Sequence, residues 1–117
     1  MTEQQRREAF CDAWVGGNGA HLAVGPGINI CARSTAAGPG LALQVTRDVL
    51  QSGQLQRVLE RRFAQAAAFK GCFIYLDASG NLVIWHALPT QRQALDETLS
   101  RLLSLASLEA LDRRAYR

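Results

Sequence analysis

The chain has 117 residues, with thirteen basic and ten acidic side chains and a net charge of +3. Apolar residues make up 48% and charged residues 20%, a composition too apolar for a disordered chain. No apolar run approaches the ~18 residues that a bilayer-spanning helix needs.

This length predicts one domain over residues 1–117, large enough to bury a core without disulfide or metal staples. Met1 to Arg7 is polar and no apolar h-region follows, so no secretory signal is expected and the default compartment is the cytoplasm. Twelve of the thirteen basic residues are Arg; Lys70 is the single Lys.

Thr2 to Val15 reads as an amphipathic helix, capped by Thr2, with Phe10 and Trp14 on its apolar stripe. Gly16-Gly17-Asn18-Gly19 stops it; no strand precedes this run and it lacks the GxxxxGK[ST] pattern, so it is not a phosphate loop. His21–Val24 is a short strand, and Gly25-Pro26-Gly27 turns the chain. Ile28–Arg33 alternates, with Ile28, Ile30 and Ala32 on one face. After the loop Ala36–Gly40, Leu41–Thr46 is a third strand with Leu41, Leu43 and Val45 inward. These three strands predict an antiparallel meander with one apolar face.

Arg47 to Ser52 fits no single pattern, and Gly53 interrupts it. From Gln54 to Phe69 the helical period is clear, through Leu55, Val58, Leu59, Phe63, Ala66 and Ala67, with Gly71 placed as its C-cap. Cys72–Leu76 and Leu82–His86 flank Asp77-Ala78-Ser79-Gly80-Asn81, which predicts a hairpin. Both of its strands are apolar on both faces, so two covers are required: layers of the same domain, or one layer and a partner. Pro89 ends the hairpin, and Thr90 caps a Leu-rich helix running to about Arg113. Its Leu95, Leu99, Leu102 and Ala106 stripe is widened by Leu103, Leu105, Leu108 and Leu111. That width predicts either a deeply seated helix or a face shared with another chain.

Little chemistry stands out. Cys11, Cys31 and Cys72 are widely spaced and form no zinc-ligand pattern, so no metal and no cofactor are expected. Neither His21 nor His86 sits in an HxxxH or HExxH pattern. A thiol-dependent enzyme requires Cys31 or Cys72 beside His86 in a cleft. Asp96 and Glu97 are expected at the start of a helix, where the dipole stabilises them. Nucleic-acid binding would rest on Arg57, Arg61 and Arg62, yet Glu60 shares their helix and a solvated helix face explains them.

The order of elements and the stretches Phe63-Ala64-Gln65-Ala66, Gly71 through Asp77, Gly80 through Trp85, Leu88 and the Leu95/Leu99/Leu102 helix resemble the class I chaperones of bacterial type III secretion systems. The resemblance implies an α+β fold, a bent antiparallel sheet with helices in the order α-β-β-β-α-β-β-α. It implies a non-enzymatic cytoplasmic homodimer that holds a secreted protein's N-terminal segment extended, by strand addition and side-chain pockets, without nucleotide. Partner-binding residues are then expected at Leu22, Val24, Ile28, Ile30, Leu41 and Leu43. The dimer contact is expected at Leu55, Leu59, Phe63 and Trp85. The family is usually acidic, whereas this chain has a pI near 9.1. Chaperone-like regulators, which bind another regulatory protein, are the alternative; a basic surface suits an acidic partner through long-range steering.

Overall fold

Period-two alternation of apolar residues resolves into five strands of one antiparallel sheet, with two helices set among them. The computed structural model describes residues 21–89, 91–106 and 108. The elements are β1 (His21–Gly25), β2 (Ile28–Ala32), β3 (Gly40–Val45), α1 (Gln54–Ala64), β4 (Cys72–Leu76), β5 (Leu82–Ala87) and α2 (Arg92–Leu105). Strand order in the sheet is β1-β2-β3-β5-β4, every pair antiparallel. The chain leaves β3, passes through α1 to the far edge, and returns through the hairpin so that β5 lies between β4 and β3.

Register assembles the core. Leu22, Ile30, Leu43, Ile84 and Ile74 stand opposite one another in a row across all five strands. Leu41, Val45 and Leu82 flank that row, and all but the half-buried Ile74 are buried. Leu95, Leu99, Leu102, Leu103 and Leu105 of α2 and Val58 of α1 belong to the same cluster. Each such side chain contributes about 1.5–3 kcal/mol by leaving water. The Leu-rich helix is therefore deeply seated, and its Leu surplus over 95–105 is absorbed inside the molecule.

The opposite face is buried at one place, where Ala42, Val83 and Trp85 cluster with half-buried Cys31. The Trp85 indole N–H donates to the Arg33 carbonyl at 2.8 Å. The Arg33 amide in turn donates to the Gly40 carbonyl at 2.9 Å. Gly40 makes this possible: a Cβ there would lie 2.3 Å from the indole ring. Gly27 plays a different part in the β1–β2 turn. It adopts φ 71°, a conformation that side chains disfavour, and its carbonyl accepts from the Thr46 amide at 2.8 Å.

Several boundaries differ from the sequence expectation. The helix expected over Gln54–Phe69 ends at Ala64. Ala64, Ala66, Ala67 and Ala68 are all exposed, so another turn would bury nothing, and packing supplies most helical stability. The Gln65 amide still donates to the Arg61 carbonyl, and turns then carry Phe69 into the core. Gly53 is the N-cap of α1, and Gln65, rather than Gly71, is its C-cap. Asp96 and Glu97 lie beyond the first turn of α2, which holds no acidic residue. The first helix expected over Thr2–Val15, the Gly16–Gly19 stop, the Thr90 cap, Cys11 and the last helix's extension to Arg113 lie outside the described residues.

Gly40→Ala is expected to destabilise the fold by roughly 1–3 kcal/mol, the usual cost of forcing extra volume into a packed site. Urea unfolding followed by tryptophan fluorescence checks this, and an unchanged midpoint contradicts the Gly40–Trp85 account.

Candidate protein-binding surface

The residues expected to hold a partner fall on the inner face of the sheet. Leu22, Ile30, Leu41 and Leu43 are buried in the core, and Val24 and Ile28 are half-buried against it. Of the residues expected at a dimer contact, Leu55 packs against the core and Trp85 is buried at 3% exposure. Leu59 and Phe63 are different. They lie four residues apart on α1, one turn above the other, and are 47% and 88% exposed.

β4 also carries exposed apolar side chains: Phe73 is 59% and Leu76 48% exposed, with Tyr75 also at the surface. β4 is an edge strand, paired only with β5 among the described residues. The register identifies which of its backbone groups are already used. Asp77 and Asn81 close the hairpin, with the Asp77 amide donating to the Asn81 carbonyl at 3.0 Å. Antiparallel pairs alternate between bonded and unbonded, so Tyr75 and Phe73 bond β5 while Leu76, Ile74 and Cys72 turn outward. The Cys72 carbonyl confirms the alternation, because it accepts instead from the Arg62 Nε at 3.1 Å.

Three arginines fix this region. Arg57 donates to the Ser52 carbonyl and to Gln51 Oε1. Arg61 donates to the Ser104 carbonyl at 2.6 Å, supplying a cation to the C-terminal end of α2, where the helix dipole favours one. Arg62 ties the last turn of α1 to the first residue of β4. These contacts, which sequence spacing does not disclose, replace the expected picture of a merely solvated face.

At the other end of β4, Asp77 organises the hairpin loop. Its Oδ1 accepts from the amides of Ser79 and Asn81, and its Oδ2 from the side chains of Asn81 and Gln44. These donors, the Asn81 amide first, hold the Asp77 carboxyl below its ordinary range. On the same side of the sheet, Arg33 donates to the Tyr75 hydroxyl at 3.1 Å, and the Phe73 ring leans on Trp85 with centroids 6.0 Å apart.

A family model described as HrpV-like matches residues 3–111. The chain belongs to the HrpV-like family. No curated protein and no solved structure matches it. The match associates the chain with type III secretion.

In this HrpV-like protein, the register does bring Cys72 and His86 opposite each other on β4 and β5. The pair has the wrong chemistry for an activated thiol. Cys72 is buried, and burial pushes its thiol up despite the opposing influence of Arg101 and Arg62. The His86 Nδ1 donates to the Ala87 carbonyl at 2.7 Å. Cys31 lies on the other face of the sheet, with Trp85. Among the described residues, no group of three or more His, Cys, Asp or Glu is arranged to hold a metal. Among them also, no helix is long and apolar enough to cross a membrane. A small cavity of about 80 Å³ is lined by Gln51, Gln54, Arg57, Val58, Ala106 and Leu108.

Two outcomes are expected. Iodoacetamide under native conditions will modify Cys31 well before Cys72, as read by peptide mass mapping; equal rates contradict the buried thiol. Acid lowers stability through Asp77, because the unfolded carboxyl takes up a proton at a higher pH than the folded one. Its contribution is present above the ordinary carboxylate range and is lost as pH falls through the depressed folded value. Asp77→Asn will therefore show a flatter stability profile below pH ~4, measured by thermal melts across acid pH.

Proposed function

We propose that the protein is a non-enzymatic, cytoplasmic binding factor of type III secretion, a chaperone-like regulator that acts by holding another regulatory protein. The observation that carries this reading is the exposed apolar surface of α1 and β4. Phe63 is 88% exposed on a helix whose opposite side is packed into the core. A side chain of that size left in water for no purpose forgoes about 1.5–3 kcal/mol, and clustered exposed apolar residues mark interaction surfaces. Family membership supplies the setting.

The alternative, a chaperone for a secreted effector, draws on the early strands. It is less well supported here, because Leu22, Ile30, Leu41 and Leu43 are occupied in the core. Self-association competes for the same α1 side chains, Leu59 and Phe63.

The test is affinity capture of the full chain from its native cell, with mass spectrometry of what is retained. A type III secretion protein is expected with the native sequence and is expected to be lost with Leu59→Asp/Phe63→Asp. The melting temperature should stay within a few degrees, since exposed sites typically shift stability by no more than about 0.5 kcal/mol. Retention of no secretion-system protein at micromolar concentration overturns the proposal.

A further inference from the structure

Among the described residues, the excess of positive charge lies in one segment. Residues 54–70 hold Arg57, Arg61, Arg62 and Lys70 against Glu60, a local excess of three. The whole chain carries +3, so all other residues together balance to zero. This segment is α1 and the turns after it, and Arg62 ties its helix directly to the first residue of β4.

β4 beside it has the features of an acceptor strand. Its sequence, Cys-Phe-Ile-Tyr-Leu, contains no charge, no Pro and no Gly. Natural sheets protect exposed edges with such residues, with bulges or with a covering element. The β4–β5 register is regular. At Cys72 both outward groups are taken: the carbonyl accepts from Arg62 and the amide donates to the Phe69 carbonyl at 3.0 Å. The amides and carbonyls of Ile74 and Leu76 point away from β5 and meet no strand among the described residues.

We propose that the open edge of β4 receives an extended, acidic segment of another protein as a sixth strand. The proposal rests on the protein-binding reading above and names the partner's chemistry. Main-chain bonds to Ile74 and Leu76 set its register. Its apolar side chains alternate over Phe73 and Tyr75 on one face of the sheet and towards Leu76 on the other. Its carboxylates meet the cations of 54–70, which steer the encounter and fix direction. A second copy of this chain is the poorer occupant, because a two-fold contact brings the same excess positive charge against itself.

The probes are two synthetic twelve-residue peptides, one alternating Val with Glu and one alternating Val with Lys. Titration of the isotope-labelled full chain by NMR, with amide exchange, reads affinity and location together. The Glu peptide is expected to bind at least tenfold more tightly than the Lys peptide and to slow exchange at Ile74 and Leu76. Phe73 and Tyr75, already bonded to β5, are expected to change little. Lys70→Glu, at an exposed position, should weaken the Glu peptide several-fold and strengthen the Lys peptide.

Equal affinity for both peptides overturns the proposal, as does protection confined to other strands. Concentration-dependent protection of Ile74 and Leu76 without peptide assigns the edge to a second copy and also overturns it. Capture of a secretion-system protein that leaves Ile74 and Leu76 unprotected sinks this inference while sparing the protein-binding reading.

Discussion

Enclosing β5 on both faces is the constraint around which this fold is organised. Leu82 and Ile84 look into the core beneath α2, while Val83 and Trp85 are buried on the other side. A strand enclosed in this way needs neighbours on both edges, and β3 and β4 supply them. It also needs room for its largest side chain, which explains the missing Cβ at Gly40 and the carbonyl of Arg33 waiting for the indole N–H. The β3-to-β4 connection follows: α1 carries the chain to the far edge so that the hairpin can fold back into the centre.

A central β5 leaves β4 at the margin, where Arg62 of α1 holds it, while Arg61 fastens α1 to the end of α2 and Arg57 ties α1 to the loop that precedes it. Each of the three donates to at least one main-chain carbonyl, on Ser52, Ser104 or Cys72. A guanidinium in such a contact keeps its charge while fixing backbone. The residues that fasten α1 to α2 and β4 are thus the same ones that make this side of the molecule positive. Structural and electrostatic roles coincide in them, so the basic character of the segment does not require nucleic acid as its explanation.

Much of the strand pattern was legible because period-two alternation is a local signal. Ile28/Ile30 and Leu41/Leu43/Val45 declare their inward face directly, and Asp77–Asn81 declares its turn. Helix limits were less legible, because they depend on what a further turn would bury; nothing in Ala66-Ala67-Ala68 reveals that this turn would lie in water. The exposed site was half visible. Leu59 and Phe63 stood out by spacing, but the same spacing placed Leu55 with them, and a degree of burial cannot be read from a period. The family resemblance implies an interface position for Trp85, whereas Gly40, forty-five residues away, is what seats it inside. The open edge of β4 cannot be read from sequence, since it depends on strand order and on whether odd or even residues bond β5.

The length of that open edge limits what it can do unaided. Arg62 closes it at Cys72 and the Asp77 turn closes it beyond Leu76, leaving the main-chain groups of two residues. Four hydrogen bonds at about 0.5–1.5 kcal/mol net supply roughly 2–6 kcal/mol. Association itself costs about 4–15 kcal/mol. Main-chain pairing therefore cannot retain a partner by itself, and the surplus has to come from side chains such as Phe73, Tyr75 and Leu76 on the strand. A window this short also resists indiscriminate pairing, because an arbitrary strand gains the hydrogen bonds without the apolar contacts. A short edge flanked by exposed apolar side chains would therefore favour selective pairing over general stickiness.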